Sequence, residues 1–135
     1  MITYRSAVAS DVIDLISLVE EYCDEVHINH DVASIKKYID FQLGKIPTII
    51  ADAEGKVVGV MSFVVMPNPF KSDEKIGRKI ACFVSKDYRD QNIGTEMLEV
   101  TERLCQEQGA VKFYFSGSKP PEGYITFETE FYKDL

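Results

Sequence analysis

A chain of 135 residues, 45% hydrophobic and 11% aromatic, is long enough to bury a core and too apolar to be a disordered tract. Its net charge of −7 argues against general binding along a nucleic-acid backbone, which needs a basic face, and suits a cationic partner such as an amine. No apolar run reaches membrane-spanning length, so no membrane association is expected.

The elements follow in chain order as one domain over residues 1–135. Residues 2–8 alternate apolar and polar side chains and predict a strand. Ser10 or Asp11 then caps a helix with Val12, Ile13, Leu15, Ile16, Val19, Tyr22, Cys23 and Val26 on its apolar face. After a break at residues 27–30, Asp31 or Ser34 starts a second helix, with Ile35, Tyr38, Ile39 and Leu43 on one face and Gly44 as its stop. Pro47 opens a strand over residues 48–51, and a turn at residues 52–55 leads into a buried strand over 56–66. Pro67 and Pro69 predict a loop over residues 66–71. A strand over 75–84, a polar loop over 85–92 and a helix ending before Gly109 come next, then a short strand over 111–115. Residues 116–121 read as a loop. The tail from about Ile125 permits a helix, although its Thr and aromatic content also suits a strand. The order β-α-α-β-β-β-α-β, with hairpins in the middle, predicts an α+β fold and not a doubly wound parallel one.

Three cysteines, Cys23, Cys82 and Cys105, lie in apolar contexts without metal or redox spacing, as expected of a cytoplasmic protein. His27 and His30 are three apart, but no third ligand is evident, so no metal site is expected.

The strand–loop–helix junction over residues 84–98 carries the chemistry. The first N–H groups of a helix have no intrahelical partner, and the helix dipole is positive there. With Asn92 and Gly94 in the turn, the main chain can approach a ligand closely, which points to capture of a phosphate or diphosphate.

The junction and the element order resemble the GCN5-related N-acetyltransferases. That family carries Arg or Gln, two residues, Gly, one residue, then Gly or Ala, between its fourth strand and third helix. Arg89, Asn92 and Gly94 stand at those places, with Tyr88 and Ile93 matching common neighbours. The resemblance implies a GNAT-like acyl-CoA N-acyltransferase fold, a mixed and mostly antiparallel sheet with helices on both faces. It implies acetyl-CoA as co-substrate and direct transfer, in a ternary complex, to a primary amine: a small molecule, a peptide N-terminus or a lysine. Backbone N–H groups of Arg89, Asp90, Gln91, Asn92, Ile93, Gly94 and Thr95 would hold the pyrophosphate, with a charge-assisted bond from the Arg89 side chain. The pantetheine arm would lie along Cys82, Phe83 and Val84, and an N–H near Val84 would face the developing oxyanion. A lysine amine is neutral in only roughly one molecule in two thousand at pH 7, so a base is required. Glu74 is a candidate, and His27 or His30 could relay the proton. Tyr132 matches the tyrosine that relatives use as general acid. The acceptor pocket would be lined by the loops at residues 27–31, 66–74 and 116–123.

Two departures qualify the resemblance. Asn92 replaces the first glycine of the motif, although Asn is the non-glycine residue best suited to positive φ. Residues 131–135 resemble only the start of the family's closing segment, so the sheet edge would need cover, for which a homodimer is one solution. Both departures also suit an alternative: a non-catalytic or weakly catalytic module of the same fold that acts through protein contacts.

Overall fold

Alternation and helical periodicity sort the described residues into the expected order. The strands are β1 (Ile2–Ser6), β2 (Thr48–Ala53), β3 (Lys56–Asn68), β4 (Lys71–Val84) and β5 (Ala110–Tyr114). The helices are α1 (Val12–Val26), α2 (Val32–Gln42) and α3 (Ile93–Glu107). The structure is a computed structural model and describes residues 1–117, 121–126 and 133–135. Strand order in the sheet is chain order, antiparallel from β1 to β4 and parallel between β4 and β5. The parallel pair needs a long crossover, and α3 supplies it.

Helices cover both faces of the sheet. On one, Leu15 and Leu18 of α1 and Ile35 and Ile39 of α2 close over Ile50 and Val57. On the other, Ile93, Met97 and Leu98 of α3 pack on Ala51, Val58 and Met61. Apart from Ala51, each such side chain contributes about 1.5–3 kcal/mol on burial. Ile13, expected on the apolar face of α1, is 78% exposed, and Leu18 takes a place in that face instead. At about 100° per residue Ile13 lies far round the helix from Leu18. The second helix starts as predicted, with Asp31 as its cap: Oδ1 accepts from Ser34 N–H at 2.8 Å.

The expected loop over residues 66–71 is instead the tip of a long hairpin. β3 runs through Pro67 to Asn68, and β4 begins at Lys71. The register shifts between Pro67 and Asn68, and a strand tolerates proline at such an irregularity because the missing N–H is not needed there. Phe70 caps the turn, its N–H donating to Asn68 Oδ1 at 2.9 Å. The helix expected from about Ile125 falls mainly on residues 127–132, outside the described residues. Just before them, Tyr124 folds back onto α3, its hydroxyl donating to Glu102 Oε2 at 2.8 Å and its ring 6.2 Å from that of Phe115.

One ion cluster ties β1 to β2 and to the entry of α1. Arg5 Nη1 and Nη2 donate to the two oxygens of Asp11 at 2.9 and 3.0 Å, and Nε reaches Asp52 Oδ2 at 3.2 Å. Asp11 is 6% exposed and also accepts from Val8 N–H at 2.8 Å. The bonds from Arg5 hold the Asp11 carboxyl below its ordinary range, against the desolvation that would raise it. A depressed folded-state pKa gives stability that is present above the unfolded pKa and is lost as pH falls through the folded one. Asp11→Asn is therefore expected to cost about 2 kcal/mol at pH 7, with the gap to the parent narrowing below about pH 4. Urea unfolding at pH 7 and pH 3.5 measures it; an unchanged gap would show that the carboxylate charge contributes nothing.

Candidate functional site

The sheet opens where β4 and β5 part. Their parallel ladder runs only from Lys75 opposite Ala110 to Arg78 opposite Tyr114. Beyond it, Lys79 and Ala81 to Val84 stay paired with β3 and have no strand on the other side among the described residues. A bulge sits at the parting: Ser62 opposes Ala81 and Phe63 opposes Lys79, so Ile80 is extra. A bulge bends its strand and increases its twist. Lys79 braces the vertex, with Nζ donating to Ser116 O and lying 4.9 Å from the Phe115 ring.

Past the bulge the backbone direction can be followed residue by residue. Ser85 N–H donates to Val58 O at 2.9 Å, on the β3 side. Main-chain polar groups alternate sides along a strand, so those of Cys82 and Val84 turn into the gap. Burial pushes the Cys82 thiol up, which keeps it protonated and unreactive. The Phe83 side chain packs towards the α1 face, where its ring meets that of Tyr22 edge-on at 5.3 Å.

The gap leads to the N-terminus of α3. After a 3-10 stretch over Lys86–Gln91, Asn92 takes the left-handed conformation, φ 61° and ψ 18°, as expected of the best non-glycine residue there. Glu96 N–H makes a helical bond to Asn92 O at 3.0 Å. The amides of Ile93, Gly94 and Thr95 precede it and have no helical acceptor, and no described side chain caps them. Gly94 is not held in a left-handed conformation, and a Cβ built on it would meet only Val84 Cγ2, at 3.8 Å. Neither strain nor crowding within the chain requires glycine there. Its bareness leaves space beside uncapped amides at the positive end of a helix, so these residues fit a diphosphate.

The Arg89 side chain is bonded within the protein. Its Nη1 and Nη2 bind Glu25 Oε1 and Oε2 at 2.7 and 2.5 Å, and its Nε donates to Val84 O at 3.0 Å. This bidentate bond depresses the Glu25 carboxyl and ties the end of α1 to the end of β4. Three of the guanidinium's donors are therefore committed inside the protein.

On the α1–α2 face, beside the fork, lies a cavity of about 490 Å³. Its walls are apolar, from Leu18 and Tyr22 of α1, Ile35 and Tyr38 of α2, and Val60, Ala81 and Phe83 of the sheet. Asn29, His30 and Asp31 of the exposed turn between the helices and Ser34 in the first turn of α2 form its polar side, and Lys79 of β4 also lines it. His30 Nδ1 lies 2.8 Å from Ile28 O, which can only accept, so Nδ1 carries a proton. Nε2 lies 3.4 Å from Asp24 Oδ1. His27 is the left-handed residue that ends α1, φ 59°.

The structure thus brings together Cys82, Val84 and the loop from Arg89 to Thr95 at the gap, with Phe83 and His30 at the cavity. Glu74 lies apart from them. It sits five residues before Lys79, about 16 Å along the strand at ~3.3 Å per residue, with Lys71 Nζ 3.9 Å from its Oε1. Tyr132 lies outside the described residues. Of the three loops expected to line a pocket, residues 29–31 do so, whereas residues 66–74 do not line this cavity. Sequence reading missed its walls, Leu18, Tyr22, Tyr38 and Val60; the aromatic residues on two consecutive amphipathic helices were the available signal.

A family model described as acetyltransferase (GNAT) family matches residues 14–121. No curated protein matches the chain. Among solved structures, an acetyltransferase from Trypanosoma brucei superposes with a TM-score of 0.77 at 17% identity, over 100% of both chains. A GNAT family acetyltransferase from Staphylococcus aureus gives 0.76 at 18%, over 99% of this chain and 98% of that one. A predicted acetyltransferase from Clostridium acetobutylicum, solved with acetyl-CoA, gives 0.70 at 14%, over 95% and 96%.

Proposed function

The chain belongs to the acetyltransferase (GNAT) family, and we propose that it transfers the acetyl group of acetyl-CoA to a primary amine by direct attack while both are bound. The fork between β4 and β5, opening beside the uncapped N-terminus of α3, is the observation that carries this reading. Acetyl-CoA supplies a thioester, whose carbon–sulfur bond breaks as the new carbon–nitrogen bond forms. The amides from Asp90 to Thr95 bind the diphosphate. The gap-facing main chain of Cys82 aligns the pantetheine arm, and Val84 N–H, whose carbonyl is held by Arg89 Nε, serves as the oxyanion donor. Arg89 acts indirectly, holding the end of β4 against Glu25 of α1. Phe83 and Tyr22 keep water from the cavity wall.

The amine must lose a proton. With Nδ1 donating to Ile28 O, His30 takes that proton at Nε2, and Asp24 accepts the resulting N–H and opens the way to solvent. Tyr132 keeps the role of general acid that the family resemblance assigns it. The proposed setting is the cytoplasm; no described helix is long and apolar enough to cross a membrane.

Thiol release from acetyl-CoA across a panel of primary amines tests the reading. Amine-dependent release supports it; calorimetric binding without turnover would favour the non-catalytic module, and no binding would remove the cofactor as well. His30→Gln is expected to lower kcat about 100-fold, with KM for acetyl-CoA unchanged. A change in KM alone would assign His30 a packing role only.

A further inference from the structure

Behind the main cavity lies a smaller one of about 60 Å³. The two are adjacent, with Val19, Tyr38, Val60 and Ala81 on the lining of both. The walls of the annex are mostly apolar, including Leu15, Ile39 and Leu43, with Tyr38, Gln42 and Thr48 also on its lining. Ser62 stands apart among the polar residues. It is 2% exposed, lines the annex, and its hydroxyl has no hydrogen-bond partner among the described residues. It stands between Thr48 and Ala81 in the sheet, at the edge of the β4 bulge. The Thr48 hydroxyl is engaged elsewhere, donating to Ile46 O at 3.0 Å.

A buried hydroxyl left without a partner is destabilising, and valine or alanine would fill a strand position more cheaply. Its place on a cavity wall gives it a use: it can bond to whatever enters. The surroundings limit what that is. A charge carried into the annex would be stripped of water against Leu15, Ile39 and Val60 with no opposite charge to meet it. The mouth is the reverse, with Asp31 on the cavity lining and Asp24 beside His30, where one ammonium is welcome.

We propose that the acceptor is a monoamine with an apolar body and one uncharged hydrogen-bonding group at its far end, which Ser62 reads from the annex. The amine stays at the polar mouth near His30, and the body lies against Val60 and Ala81, which line both cavities. This rests on the acetyltransferase reading for its purpose, but the binding itself can be tested without turnover. A hydroxyl that pairs with the ligand also discriminates against analogues lacking the partner group, because it would again be left bare.

The test uses two matched pairs of amines, tyramine with 2-phenylethylamine and 6-aminohexan-1-ol with hexylamine, titrated into the protein by amide NMR with and without Ser62→Ala. In the parent, at least one hydroxylated amine is expected to bind about 5–10-fold more tightly than its partner, with the Ser62 and Ala81 amides shifting. In Ser62→Ala the ratio should fall to about one, the non-hydroxylated amine should bind as before, and the protein should melt no lower, since the change removes an orphan hydroxyl. Ratios near one in the parent, a ratio unchanged in the variant, no binding by any of the four, or tighter binding of spermidine than of all four would each overturn the proposal. Acetyl-CoA binding is measured on the same samples. Its loss with the amine ratio intact counts against the acetyltransferase reading alone, and the converse counts against Ser62 alone.

Discussion

Gly94→Glu is expected to weaken acetyl-CoA binding about 100-fold or more while leaving the fold at least as stable as the parent. The two effects have opposite signs because they act on opposite sides of the same helix end. A carboxylate in the first turn of α3 interacts favourably with the helix dipole, by about 0.3–1 kcal/mol, and glycine is the poorer helix former. The site also admits the side chain, since a Cβ there touches only Val84 Cγ2 at 3.8 Å. A diphosphate on the same amides would meet a negative charge a few ångströms away. At an effective dielectric near 20, a pair of like charges at about 5 Å costs about 3 kcal/mol, and salt reduces this at an exposed site. Calorimetry with acetyl-CoA, paired with a thermal melt, separates the two effects. Unchanged affinity in a fully folded variant would mean that the cofactor does not lie on the start of α3, and the functional proposal would lose its main support.

Gly77→Ala is expected to have the largest effect on stability, about 3 kcal/mol, or a drop in Tm of about 10 °C for a chain of this size. Gly77 pairs with Phe113 one rung before the fork closes its ladder. A Cβ there would lie 2.7 Å from Cys105 Sγ and 2.7 Å from Phe113 Cδ1, with Cys105 Cβ at 3.3 Å. All three are side-chain atoms of α3 and β5 residues that pack directly on β4, so relief requires those side chains to give way within a packed core. Cys105→Ala in the same chain removes the Sγ clash but not the one with Phe113. The double variant should therefore recover part of the loss, with a coupling energy of about 1 kcal/mol or more. Additive losses would place the strain elsewhere and weaken the claim that this close approach pins the vertex of the fork.

The two glycines divide what could be read from the chain and what could not. Gly94 stood out by its spacing from Arg89 and Asn92. Gly77 carried no such mark, because the crowding that requires it comes from Cys105 and Phe113, 28 and 36 residues away in sequence. The same division holds through the candidate site. Asn92 in a left-handed turn, the break after α1 and the Asp31 cap follow from local backbone preferences and were legible. The partner of Arg89 was not, since Glu25 is 64 residues earlier and nothing local links them. The distance of Glu74 from the cavity was not legible either, because it depends on how far β4 extends before the bulge. The loop expected at Pro67 and Pro69 became a hairpin because pairing between β3 and β4 outweighed the cost of one proline at a bulge.

By itself the sequence determined the order and type of the elements, the mixed class of the sheet and the position of a helix start suited to a diphosphate. These depend on side-chain periodicity, caps and turns, which act over a few residues. Only the tertiary structure decided that β4 and β5 separate after Arg78, that a cavity opens on the α1–α2 face and that Ser62 is buried on its wall without a partner. Those features arise where segments distant in the chain meet, and their energies depend on which groups each finds opposite it.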